Sequence, residues 1–145
     1  MLWRGPEREL IPYCAAQGIS QIVWSPLAQG VLTGKYPPGA PAPPGSRATS
    51  TSGRFMPAVR DEEVLRRVER LAALAGELGM TAPQLALAWV LRESNVAAAI
   101  VGASRPDQVS ENASASGVVL DEETLRQIDE IVADVVAWEG PASGR

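Results

Sequence analysis

Apolar residues recur along the chain at two spacings, and the change between them predicts the elements. Val64, Leu65, Val68, Leu71, Ala72, Ala75 and Leu78 return every three or four positions, which predicts a long amphipathic helix from Asp61, closed by Gly79. Leu85, Ala86, Trp89, Val90 and Leu91 predict the next helix, with Thr81 as its N-cap, Pro83 in its first turn and an end near Glu93. A last helix starts at Asp121 and turns Leu125, Ile128, Ile131, Val132, Val135 and Val136 to one side. Residues 6–16 predict a short helix in which Pro6 takes a first position, Leu10, Ile11, Cys14 and Ala15 share a face, and Gly18 marks the end. Two stretches lack the helical period. Residues 19–24 and 96–101 are short, apolar and stopped by Pro26 and Gly102, so both predict buried strands. A helix over about residues 105–115 follows the second.

The order is helix, strand, long loop, two helices, strand, helix, helix. Strands separated by helices imply parallel pairing with right-handed crossovers, hence an α/β fold. Two strands leave an unpaired apolar edge on each side, so the chain looks like part of a larger sheet and should associate when alone. The loop at residues 37–58 is dense in Pro, Gly, Ser and Thr, and includes Pro37-Pro38-Gly39 and Pro43-Pro44-Gly45. A loop of that length is functional or disordered. Its only charges, Arg47 and Arg54, are either anion contacts or solvated side chains.

Composition narrows the classes. At 145 residues, 46% hydrophobic and 21% charged, the chain is the size of one ordinary domain and is neither disordered nor membrane-like. A net charge of -4 offers no broad basic face for nucleic acid or an anionic membrane, so any anion must be bound locally. Cys14 is the only cysteine, which excludes an intrachain disulfide. There is no histidine, and with it go the commonest metal ligand and the commonest general base. No stretch reaches transmembrane length and the first residues lack a signal-peptide pattern, so the expectation is a cytoplasmic protein.

Candidate chemistry lies just beyond each strand. Trp24 through Tyr36 brings an aromatic, a hydroxyl, two glycines and a lysine to one edge of a sheet, which is how a ligand site is commonly built in an α/β protein. After the second strand, Gly102-Ala103-Ser104-Arg105-Pro106-Asp107-Gln108 leads into a helix. Either Ser104 caps that helix and Arg105 is solvated, or hydroxyl, arginine and the free N–H groups of the first turn together receive an anion.

Trp24-Ser25-Pro26-Leu27 with Gly30-Val31-Leu32-Thr33-Gly34-Lys35-Tyr36, followed in order by Gly102-Ala103-Ser104, Gln108 and Glu111-Asn112, resembles the C-terminal part of the aldo-keto reductases. The likeness is greatest to the branch that includes the potassium-channel beta subunits and many bacterial oxidoreductases. Trp3-Arg4 with Glu7 fits the stretch after that family's sixth strand, and the resemblance runs to about residue 137.

What the resemblance implies is the C-terminal part of a (β/α)8 TIM barrel over residues 1–139, with a polar tail at 140–145. Residues 19–24 and 96–101 become strands seven and eight, the helices from Asp61 and Asp121 become the two extra helices, and the loop at 37–58 folds over NADP(H). Trp24 would lie against the nicotinamide. Ser25, Pro26, Leu27, Gly30 and Lys35 would surround the pyrophosphate, partly through backbone N–H groups, and Arg47 would close over it. Gly102, Ser104, Arg105 and Gln108 would hold the adenosine ribose and its 2′-phosphate, and Glu111 and Asn112 would reach the adenine.

The family's catalytic Asp, Tyr, Lys and His sit in the first half of the barrel, and a chain without histidine cannot hold that group. Tyr13 and Tyr36 do not replace it, so no catalytic residue is assigned. Two classes of function follow. One is an aldo/keto reductase acting on a carbonyl substrate, of which this chain is the cofactor-binding part and which needs the N-terminal half of the barrel. The other is a non-catalytic remnant, or a self-associating nucleotide-binding module.

Overall fold

The computed structural model describes residues 1–51, 53 and 56–139. Helices α1 (Gly5–Arg8) and α2 (Leu10–Ala16) precede strand β1 (Gln21–Trp24). After a long loop come α3 (Glu62–Glu77), α4 (Ala82–Val90), strand β2 (Val96–Ile100), α5 (Pro106–Ala113) and α6 (Glu122–Val132). Arg54 and the tail at 140–145 lie outside the described residues.

The helices start and stop where side-chain chemistry places their ends. Asp61 Oδ1 accepts from the N–H groups of Glu63 and Val64, at 3.0 and 3.3 Å, and so begins α3. At the other end Gly79, with φ +70°, lets its own N–H reach Gly76 O while the N–H of Met80 reaches Ala75 O, which is a Schellman stop. Val64, Leu65, Val68, Leu71, Leu74 and Ala75 are buried, whereas Leu78 is left 40% exposed because it lies past the last helical turn. Thr81 and Gln84 exchange capping bonds at the start of α4. That helix buries Leu85 through Trp89 without interruption and stops at Val90, short of Glu93.

The helix expected over residues 6–16 is broken in two. Pro12 has no N–H for the carbonyl of Arg8 and its ring would clash with it, so the chain leaves helical geometry at Glu9, with φ -136°, and restarts. Of the expected face only Cys14 is buried, and Leu10 is 54% exposed. Ile19, expected in the first strand, belongs instead to the stop of α2, where its N–H bonds Cys14 O at 2.8 Å.

β1 and β2 pair in parallel, with Ile22 opposite Ala98 and Trp24 opposite Ile100. The pairing is as expected, the burial is not. Ile22, Trp24 and Ile100 are 66%, 69% and 61% exposed. Among the described residues each strand has only the other as a neighbour, so one face and both outer edges are bare, while Val23 on the other face is half-buried. The core lies on the helix side. Leu85, Ile128, Val31, Val68 and Val132 are its largest fully buried side chains, joining α3, α4 and α6 to the turn at Ala28–Thr33.

The first residues are tied to the segment after α6 by strand-like bonds. The N–H of Arg4 donates to Ala137 O and that of Ala137 to Leu2 O. The buried Arg4 guanidinium lies over the Trp89 ring at 4.6 Å and bonds Asp129 at 2.6 Å. Among the described residues no single helix is long and apolar enough to cross a membrane.

Candidate functional site

The turn after β1 is held in an unusual conformation. Ser25, Ala28 and Gln29 have φ of 51°, 47° and 58°, and Gly30 follows at 100°. Non-glycine residues in this region cost on the order of 1 kcal/mol each, and such strain persists only where the surroundings enforce it. Here Pro26, Val31 and Leu32 are buried behind the turn as anchors. The N–H groups of Ala28 and Gly30 bond Ser25 O and Leu27 O, and Thr33 Oγ1 donates to Gly30 O at 2.7 Å. The Gly30 N–H is therefore bonded within the turn.

Gly30 is also where Lys35 returns. A Cβ on Gly30 would meet Lys35 Nζ at 3.4 Å and Cε at 3.5 Å, so the bare glycine backbone is the seat of the ammonium group. Gly34, at φ 74°, makes the bend that brings the lysine back, close against Ala72 of α3.

Beyond β2 the start of α5 differs from the expected arrangement. The N-cap is Arg105 rather than Ser104, and an arginine side chain has no acceptor to offer. Gln108 supplies it: its Oε1 accepts from the Ser104 N–H at 2.8 Å, the Ser104 hydroxyl at 3.2 Å and the Arg105 N–H at 3.2 Å. Arg105 Nε in turn donates to both carboxylate oxygens of Asp107, at 3.2 and 3.3 Å. The N–H groups of Ser104 and Arg105 are thus already bonded by the protein.

Because Trp24 and Ile100 face each other in register, the segments after the two strands leave the same end of the sheet. They form the walls of one cleft of ≈ 1260 Å³. Trp24, Ser25, Pro26, Leu27, Gly30 and Lys35 line one wall; Gly102, Ser104, Arg105, Gln108, Glu111 and Asn112 line the other; Arg47 enters from the loop. Every position predicted from sequence as a site residue is among them. Among the described residues, three cations and one carboxylate, Glu111, stand in this cleft of a net acidic chain.

The cleft holds polar residues that sequence reasoning missed. Among the described residues, Ser46 Oγ lines it buried and without a hydrogen-bond partner, which costs roughly 1–3 kcal/mol unless water or a ligand satisfies it. Thr81 also lines it, brought there by Gln84, whose Nε2 bonds Ser114 Oγ at 2.6 Å and so fastens α4 to α5. Ser46 carried a signal in its place beside Arg47; Thr81 carried none beyond its role as a cap. A second hollow of ≈ 600 Å³ adjoins the first at Trp24, Ser25 and Pro26 and runs along the open side of β1, past Ile22 and Leu10.

The sequence profile of the aldo/keto reductase family matches residues 1–133. A protein of Schizosaccharomyces pombe that carries the name of a voltage-gated potassium channel beta subunit is 39% identical over 131 residues, which are 87% of this chain and 38% of that protein. An L-glyceraldehyde 3-phosphate reductase of Escherichia coli O157:H7 is 36% identical over 119 residues, 81% of this chain and 34% of the relative. Among solved structures, a glycerol dehydrogenase of Gluconobacter oxydans superposes with a TM-score of 0.71 over 98% of this chain and 42% of its own, at 24% identity. The chain therefore has an α/β fold matching part of a TIM-barrel reductase, and spans well under half the length of these proteins.

Proposed function

The chain belongs to the aldo/keto reductase family, and from that premise we propose that it is the C-terminal, cofactor-binding part of an NADP(H)-dependent aldo/keto reductase. The observation that carries the reading is the convergence on one cleft of both segments in which the resemblance resides.

The residues present fit a dinucleotide. Lys35 over Gly30, Arg47 from the loop and Arg105 at the start of α5 give three cations for phosphate oxygens. The unpartnered Ser46 hydroxyl lies in the same wall as Arg47. Trp24, 69% exposed at the end of β1, offers a flat apolar face for a ring. When bound, the nicotinamide supplies the hydride that reduces a carbonyl. This chain's own part is to bind and orient: Trp24 sets which ring face is presented, and the cations fix the phosphates. Proton donation to the carbonyl oxygen would fall to residues outside this chain, whose sequence has no histidine. The exposed strand faces support a second reading, in which the chain works only in an assembly that covers Ile22, Trp24 and Ile100.

Titration of the chain with NADPH, followed by tryptophan fluorescence, tests the first reading. Saturable quenching at micromolar NADPH, reduced when Trp24 is replaced by Leu, is the expected result. A folded chain that binds neither NADPH nor NADH would leave only the second.

A further inference from the structure

The contacts of Arg105 carry a consequence for specificity that rests on the NADP(H) reading. Its guanidinium is exposed but already has a partner. Nε is held by both oxygens of Asp107, two residues on, in a pair whose side chains are 63% and 66% exposed. Asp107 itself does not line the cleft, whereas Arg105 does. The contact uses Nε alone, which leaves the terminal nitrogens to a second anion.

We propose that Asp107 is a positioning residue that sets the NADPH-to-NADH preference of the cleft by restraining and partly neutralising Arg105. A 2′-phosphate approaching Arg105 meets a cation whose charge is shared with a neighbouring carboxylate, and the two anions repel each other. NADH brings no group to that point and is indifferent to the pair. Asp107 therefore holds the preference for NADPH below what Arg105 alone would give. An exposed ion pair of this kind is weak, so the effect is a factor of about two to five and shrinks as salt rises.

The bland alternative is that Asp107 only favours the positive end of α5, as first-turn acids do. The two roles separate in the ratio of affinities. If Asp107 merely supports the helix, Asp107→Asn weakens NADPH and NADH together and leaves the ratio unchanged.

The test is equilibrium binding of NADPH and NADH to the purified chain and three variants at low and high salt. Asp107→Asn is expected to raise the ratio of NADPH to NADH affinity about two- to fivefold, Asp107→Glu to leave it near the parent value, and Arg105→Ala to lower it. In the Arg105→Ala background, Asp107→Asn is expected to raise the ratio by less than it does in the parent, because only the direct repulsion between carboxylate and phosphate is then removed. An unchanged ratio in Asp107→Asn while Arg105→Ala lowers it would overturn the role of Asp107 and leave the cofactor reading standing. A ratio insensitive to Arg105→Ala would overturn the specificity proposal and leave the cofactor reading standing, whereas no binding of either nucleotide by the folded parent would overturn both.

Discussion

At Gly30 the backbone stands at φ +100°, and a Cβ would come within 3.4 Å of the Lys35 ammonium. Both facts act on a substitution, one through strain and the other through the cation it displaces. Gly30→Ala is expected to cost about 1–2 kcal/mol of stability and to weaken NADPH binding by more than any stability loss explains. Urea unfolding and a titration on the same sample separate the two effects. Unchanged binding would mean that the seating of Lys35 does not matter to the ligand. The family resemblance singled out Gly30 and Lys35 together, but the bond from the Gly30 N–H to Leu27 O was not legible, because it depends on the left-handed turn through Ala28 and Gln29. The same holds at α5. The residue types around Ser104 and Arg105 pointed to an anion, while Gln108 closing onto their N–H groups is a choice of rotamer that spacing does not reveal.

Among the elements, the helices were the most legible, since period and cap residues act over a few positions. Asp61, Thr81 and Asp121 each stand at an N-cap; Thr81 was expected there, and the other two were read as the starts of their helices. Pro12 was a visible break signal, but the spacing of apolar residues around it is that of one continuous helix, and the break falls at Glu9. Strand burial was not legible, because it depends on what stands beside a strand rather than on the residues in it. α6 allows a prediction about pH. Hydrogen bonds from Thr124, its side chain first and its N–H second, hold the Asp121 carboxyl below its ordinary value near 3.8. A lowered carboxyl favours the folded state above the ordinary aspartate range, and the contribution is lost as pH falls through the lowered value. Asp121→Asn keeps an N-cap acceptor but cannot titrate, so its helix content on acid titration should fall less steeply than the parent's below pH 4. Superimposable circular-dichroism curves for the two proteins would remove Asp121 from the acid response.

For the whole molecule, the bare sheet is the dominant feature. Ile22 and Trp24 on β1 and Ile100 on β2 are each more than 60% exposed, beside an apolar hollow. A surface of that kind in water favours association, whether with a second copy or with a polypeptide that supplies the neighbouring strands. Analytical ultracentrifugation of the chain is expected to show concentration-dependent association, reduced in Ile22→Lys. A monomer at all concentrations with cooperative unfolding would contradict it. Fold class and parallel pairing were legible from the alternation of strands and helices, as was the incompleteness of a two-stranded sheet. The location of the core was not: it lies among α3, α4 and α6, away from the sheet.

The central claim is that the segments after β1 and β2 form one dinucleotide site. Hydrogen–deuterium exchange of the chain with and without NADPH tests it most directly. The account predicts added protection in both 25–35 and 102–112 at the same ligand concentration, with the face of α6 unaffected. Protection confined to one segment, or none from a folded chain at saturating NADPH, would contradict it.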